Sequence, residues 1–519
     1  MTRKIKACSN YAQSDHSITR NTVERIPYVA GLDFSAKNSP FGCACASGNL
    51  ELLYLLIERG LKLDDRLLFV GFDCLDESDL DLDKCQPIAA ALIRYIKDPT
   101  YNERGYTFLH RVCSIGDADN AKAVLKRGVD RDALTHAKPT RDPMDFVPFD
   151  SDSVVALDVA AANGHVDVVK LLLEWDNVPI EMYQVDVSMI EAAKYGELEV
   201  VKCFVEYGAG CRAEALLETM ESTGSFDVAE YLLNNGASVD GRMRDITPLL
   251  ALIRNNRKGY LYPFDYDPLP DEKVRTAQLL LDRGASCDAT TYQGDDALKL
   301  AVRSGLPEIV QLILNHDKGK PISVDRLNES LLVSLERAME EIIWCLLDHG
   351  AHVDTLGNDG YTPLLLLCSK SYIRRQQGER RNRDYDVDTS IVYLPTIQLL
   401  LGRGADTNVV SQVSGQTALL YAGEHAITNV SFSLKLSTLL LEHGADVNQG
   451  NATTGNSPLM MAAYFKRPAL VQLYLSYDAD VMQVNDRGQT VFDMMGDKPE
   501  YAKVVELCTE HLAAKPLLK

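Results

Sequence analysis

The sequence predicts an all-α repeat solenoid of about 12–13 stacked helix–turn–helix units joined by β-finger loops. Three recurrences carry that prediction. A Gly-Ala pair closes one leucine-rich run after another, as at Tyr207-Gly208-Ala209, Asn235-Gly236-Ala237, Arg283-Gly284-Ala285, His349-Gly350-Ala351, Arg403-Gly404-Ala405 and His443-Gly444-Ala445. A second signature opens the units: Asp359-Gly360-Tyr361-Thr362-Pro363-Leu364, Asp245-Ile246-Thr247-Pro248-Leu249, Gly415-Gln416-Thr417-Ala418-Leu419 and Gly105-Tyr106-Thr107-Phe108-Leu109-His110. Between them lies a third mark, a mid-unit glycine, at Gly48, Gly116, Gly164, Gly196, Gly224 and Gly305.

Each mark has a physical role. The threonine is placed to cap the first helix, and a proline after it sits in the first turn, where its missing N–H costs nothing. Paired alanines let two helices approach closely. The mid-unit glycine stops the first helix in a left-handed conformation. A Val-Val-x-x-Leu-Leu stripe then packs the second helix at helical spacing. The closing glycine ends that helix, and an extended finger leads into the next unit. Residues 157–173 (Leu157 through Gly164 to Leu173) show the scheme most cleanly.

On this alignment units fall near 36–65, 66–102, 103–133, 154–181, 184–211, 212–241, 243–288, 292–322, 325–355, 358–408, 414–448, 455–484 and 487–515. The interval from Gly284 to Gly350 therefore holds two units. The second unit is the weakest: Pro87-Ile88-Ala89-Ala90-Ala91 supplies its second helix, but its first lacks the opening signature. Residues 1–35 fall outside the pattern and are expected to form a flexible segment or a cap. The last unit is more charged in its second helix, which suits a C-terminal cap, and 516–519 form a tail.

The Thr-Pro-Leu-His-x-Ala opening with a Leu-Leu-x-x-Gly-Ala close resembles the ankyrin repeat, and the resemblance extends over more than 90% of the chain. Its divergent units and long loops are similar to those of fungal ankyrin-repeat proteins. The resemblance implies a groove, formed by β-fingers and first helices, along which a protein partner is held. With helices about 8–10 Å apart, thirteen units would present a surface roughly 100 Å long.

Composition bounds the partner. The 519-residue chain carries a net charge of −21, which repels phosphate backbones and anionic lipid. Nucleic acid and membrane are thus excluded as expected partners, and a basic protein is favoured. No apolar run reaches the length of a membrane span, and the basic N-terminus is followed by no apolar core of a secretory signal. A cytoplasmic or nuclear monomer is expected.

Three insertions break the regularity, and in repeat arrays insertions map to loops that often contact partners. Leu134–Asp152 lengthens the finger between the third and fourth units. Asn255–Asp271, between the helices of the seventh, carries Tyr260, Tyr262, Phe264 and Tyr266. These rings either meet a partner or, more commonly for such loops, fold back on their own helices. Ser371–Ser390, between the helices of the tenth unit, carries Arg374, Arg375, Arg380, Arg381 and Arg383, followed by Asp384, Asp386 and Asp388. That cluster could grip an acidic peptide or phosphate; the commoner outcome is a solvated loop whose charges neutralise one another. These nine side chains are the candidate partner contacts. Stacking would place the second and third insertions, with a longer turn near 424–430, on the rim opposite the fingers.

No catalytic, cofactor or metal site is predicted. Cys45, Cys113 and Cys368 share the repeat position where alanine is usual, Cys203 and Cys345 share another, and Cys211 and Cys287 a third. At such positions cysteine acts as a small buried hydrophobe, Cys43-Ala44-Cys45 included. His110, His165, His316, His349 and His443 sit at repeat-defined positions without ligand spacing. Asp79-Leu80-Asp81-Leu82-Asp83 lacks the glycine and distal glutamate of a calcium loop and is expected to be a solvated acidic turn. No phosphate-binding glycine loop or nucleophile elbow occurs. The expected function is therefore a non-enzymatic scaffold or regulator. The alternatives are the substrate-recognition adaptor of a ubiquitin-ligase or signalling complex, for which no recruiting box is visible, and a small-molecule-binding accessory protein or enzyme.

Overall fold

The computed structural model describes residues 39–76, 82–103, 106–134, 154–242, 245–255, 270–316, 322–335, 339–369, 389–427, 429–496 and 498–514. The chain divides into two compact units, Met1–Ser286 and Cys287–Lys519. Both are all-α repeat stacks, as the sequence predicts.

In the first unit the first helices are Pro40–Ala46, Asp65–Asp76, Phe108–Ile115, Ala156–Ala162, Met182–Tyr195, Arg212–Glu221 and Pro248–Arg254. Their partners are Leu50–Glu58, Leu82–Ile93, Ala118–Leu125, Val166–Glu174, Leu198–Tyr207, Phe226–Asn234 and Pro270–Asp282. Each first helix packs on the next first helix, and each second helix on the next second helix, so the unit is two layers of helices. The second unit repeats the plan. Its first helices are Ala297–Ser304, Val324–Ser334, 363–369, Ala418–Glu424, Pro458–Tyr464 and Val491–Met495. Its second helices are Pro307–His316, Glu340–Asp348, Thr389–Gly402, Val430–Glu442, Pro468–Ser476 and Ala502–Ala514.

The seam between layers is apolar and close-packed. All seven residues of Ala156–Ala162 are buried, and Val168, Val169 and Leu172 of the following helix are wholly enclosed. Alanine at 160 and 161 lets helices on both sides approach, where a larger side chain would force them apart. Gly116, Gly164 and Gly196 adopt left-handed φ of 84°, 75° and 80°, as expected of helix-stopping residues.

Some sequence expectations need amendment. The second repeat's first helix, which lacks the opening signature, is present as Asp65–Asp76, with Leu68, Phe69, Phe72 and Leu75 buried. Its partner helix begins at Leu82, ahead of Pro87, so Leu82 and Asp83 belong to a helix and not to a solvated acidic turn. Asp79–Asp81 lie outside the described residues. Capping is also less uniform than the motif suggests. Ser457 and Thr417 accept a bond from the backbone N–H three residues on, but Thr247 Oγ1 is buried and meets no hydrogen-bond partner.

Buried polar side chains tie successive repeats together in the first unit. His110 Nδ1 lies 3.2 Å from the Thr107 backbone nitrogen, and its Nε2 is 3.2 Å from the carbonyl of Val154 in the next repeat. Burial holds its pKa down at about 4. Asp158 occupies the equivalent position one repeat later. It accepts from the Val155 backbone N–H (3.0 Å), Ser188 Oγ (2.6 Å) and Gln184 Nε2 (2.9 Å), the last two across the repeat boundary. Burial, only partly offset by these bonds, pushes its pKa up to about 6. Near by, His165 Nε2 reaches the Ser114 carbonyl at 2.8 Å.

Candidate functional site: the finger face of the second unit

A finger starts where the closing glycine ends a second helix. Gly404 and Gly444 take φ of 86° and 88°, which turns the chain out of the helix. Two residues on, an aspartate folds its side chain onto the backbone. Asp406 Oδ1 accepts from Asn408 N, Asp446 Oδ1 from Asn448 N, and Asp480 Oδ1 from Met482 N, each at 2.8 Å. These Asx turns explain the recurrent Asp and Asn of the fingers as turn chemistry.

The same residues bind finger to finger. Asn408 Oδ1 accepts from Asp446 N, and Asn448 Oδ1 from Asp480 N, both at 2.7 Å. Gln449 Nε2 donates to the Asn408 carbonyl at 3.1 Å and Gln483 Nε2 to the Asn448 carbonyl at 2.8 Å. Asp354 Oδ1 accepts from Asp406 N at 3.1 Å, which brings in a fourth finger. Each finger closes as a hairpin: Gly357 N donates to Tyr361 O, Ser411 N to Gln416 O, Asn451 N to Asn456 O and Asn485 N to Gln489 O. Neighbouring tips then join through the backbone, Ala452 N to Gly415 O (2.8 Å) and Asp486 N to Thr454 O (3.2 Å). At Gly415, with φ of 68°, a Cβ would strike Thr453 of the next finger, so the close approach requires glycine there.

What this ribbon exposes is unusual. Leu356 and Val484 are each 55% exposed, Met482 57% and Val413 71%. Apolar side chains at these places leave more than half of their surface in water. Beneath the tips lies a polar cluster. The hydroxyl of Tyr421 is 3.2 Å from that of Tyr361 and 2.6 Å from Ser414 Oγ, and burial raises its pKa. Gln416 Nε2 donates to Glu424, whose carboxyl burial also shifts upward.

None of the candidate contacts drawn from the sequence falls among the described residues. Tyr260, Tyr262, Phe264 and Tyr266, and Arg374, Arg375, Arg380, Arg381 and Arg383, lie outside the described residues. The apolar finger residues escaped the sequence reading, although a signal was present: valine, leucine and methionine stand where turn chemistry favours polar residues. Cys45, Cys113, Cys203 and Cys368 are buried as expected, whereas Cys43, Cys211, Cys287 and Cys345, expected to be buried as well, are only half-buried. Cys45, Cys113 and Cys368 are fully buried, and burial pushes the Cys368 thiol up to about 12. Among the described residues no group of three His, Cys, Asp or Glu side chains could hold a metal ion, and no helix is long and apolar enough to cross a membrane.

Family comparison agrees with the repeat geometry. A model described as ankyrin repeats in three copies matches residues 391–485, and a single ankyrin-repeat model matches 155–181. The chain is an ankyrin-repeat protein. It is similar to the ankyrin repeat and KH domain-containing protein mask-1 of Caenorhabditis elegans, 24% identical over 66% of this chain and 13% of that protein. It also resembles the ankyrin repeat protein nuc-2 of Neurospora crassa, 26% identical over 57% of this chain and 26% of that one. Similarity to the E3 ubiquitin-protein ligase KEG of Arabidopsis thaliana is 23% over 65% of this chain and 19% of the ligase. The chain thus spans about a quarter or less of each relative's length. Ankyrin repeats imply a role in protein–protein interaction.

Proposed function

We propose that this ankyrin-repeat protein is a non-enzymatic scaffold or regulator that holds a protein partner on its finger face and the adjoining first helices. The observation that carries the reading is the ribbon of four hydrogen-bonded fingers with Leu356, Val413, Met482 and Val484 held outward. Solvated apolar groups on a rigid frame gain roughly 25 cal/mol per Å² when a partner covers them, and the frame loses little entropy on binding. The aromatic and Arg-rich segments between the helices of the seventh and tenth repeats are proposed as further contacts.

Affinity purification with quantitative mass spectrometry tests this. The wild-type chain would be compared with Leu356→Asp/Val413→Asp and with deletions of 255–271 and 371–390. We expect partners recovered with the wild type to be depleted at least tenfold by the double substitution while helicity is unchanged. An identical set of partners from both would remove the finger face from the function.

A further inference from the structure

The four fingers are strongly biased in charge. Segments 351–361, 405–416, 445–456 and 479–489 contain Asp354, Asp359, Asp406, Asp446, Asp480 and Asp486, against a single cation, Arg487. The last three tips are bonded in series and the first finger is tied to the second through Asp354, so these carboxylates recur along one ribbon. Asp359, Asp406, Asp446, Asp480 and Asp486 are exposed. Asp406 N donates to Asp354, so two carboxylate-bearing turns sit side by side, and their mutual repulsion adds to burial in raising the Asp354 pKa. Several of these carboxylates already spend one oxygen on a backbone N–H, which leaves the other for an outside donor. The exposed apolar side chains share the same fingers, with Leu356 between Asp354 and Asp359 in sequence, and Met482 and Val484 between Asp480 and Asp486.

We propose that the finger ribbon of the second unit binds an extended, positively charged segment of another protein, in which Lys or Arg residues are interspersed with apolar ones. The inference rests on the functional reading above and adds the chemistry of the partner. In an extended chain successive side chains point to opposite sides, at about 3.3 Å per residue. A segment with both kinds among the side chains turned to the ribbon can set basic groups against the aspartates and apolar groups against Leu356, Val413 and Met482. An acidic segment would meet like charge along its length, and a purely apolar one would strand the carboxylates without their water.

The experiment is selection from a random dodecapeptide phage library on the immobilised full chain, followed by fluorescence anisotropy of the enriched peptides. Two variants are used. Asp359→Asn/Asp406→Asn/Asp446→Asn/Asp480→Asn removes four charges while keeping an oxygen that can accept the turn bond. Leu356→Ser/Val413→Ser removes the apolar contacts and no charge. We expect enriched peptides to carry net positive charge with interspersed apolar residues. Their affinity should fall at least tenfold in the asparagine variant, fall on Leu356→Ser/Val413→Ser, and weaken as salt rises from 50 to 300 mM. Peptides of neutral or acidic composition that lose affinity on Leu356→Ser/Val413→Ser would overturn the charge inference while leaving the finger face as the binding site. Basic peptides that bind the asparagine variant as tightly as the wild type, or a library that enriches nothing, would also overturn it.

Discussion

Asp158 is a carboxylate whose removal should stabilise the protein at neutral pH and fail to do so in acid. Its pKa in the folded chain is about 6 against an ordinary 3.8. A group raised on folding contributes stability that is complete below pH 3.8 and is lost as pH climbs through 6. The full loss is the shift of about two units at 1.36 kcal/mol each, or about 3 kcal/mol at pH 7, and less than about 1 kcal/mol at pH 4. Asp158→Asn abolishes that loss. It also spoils one of three hydrogen bonds, since an amide cannot accept from Val155 N–H with its NH₂ while serving Ser188 and Gln184 with its oxygen, at a cost of about 1 kcal/mol. The variant should therefore be about 1–2 kcal/mol more stable than wild type at pH 7 and equal or less stable at pH 4. Urea melts at both pH values would measure it. Trp175 is in the same repeat, and a Trp344→Phe background leaves it as the single tryptophan, so its fluorescence reports locally. His110 slopes the other way, because its lowered pKa of about 4 makes its contribution complete above 6.5 and lost as pH falls through 4. The two residues oppose each other between pH 4 and 6, and Asp158→Asn should expose the histidine slope. An equal destabilisation by Asp158→Asn at both pH values would refute this account of the buried carboxylate.

Two further outcomes follow from the repeat geometry. Gly455→Ala should cost more than Gly128→Ala, by about 1 kcal/mol or more in chemical denaturation: both have positive φ, but a Cβ at 455 meets the Asp486 backbone nitrogen whereas 128 faces open space. In the native protein a thiol reagent should modify half-buried Cys43, Cys211, Cys287 and Cys345 well before Cys45, Cys113 or Cys368, as peptide mapping by mass spectrometry would show.

The repeat skeleton was legible because its marks are local. A left-handed glycine, a proline in a first turn and a leucine stripe each act within a few residues, so Gly116, Pro248 and Leu279–Leu281 can be read without knowing their neighbours. The helix Asp65–Asp76 shows the limit: it lacks the opening motif and forms because Leu68, Phe69 and Phe72 are enclosed by adjoining helices, including Phe108 against both rings. Thr247 carries the motif without its bond, whereas Thr417 and Ser457, buried as deeply, make it. The finger surface was harder still. Val413 stands where turn chemistry favours a polar residue, but so does Val447, which is buried, so the composition marks the fingers while packing decides which side chain is exposed. Asp158 and His110 read as repeat positions, but their shifted ionisation comes from burial between successive repeats, which the bonds to Ser188, Gln184 and Val154 only partly offset.

Those links between repeats bear on how the chain is made. His110 finds its acceptor 44 residues later, at Val154, and Asp158 finds Ser188 30 residues later. During synthesis neither can be satisfied until the ribosome has released the next repeat, so the third and fourth repeats are expected to consolidate one step behind the emerging chain. An arrest-peptide force profile should then show tension rising after residue 188 clears the exit tunnel, and a rise at the end of each repeat's own sequence would rule the delay out.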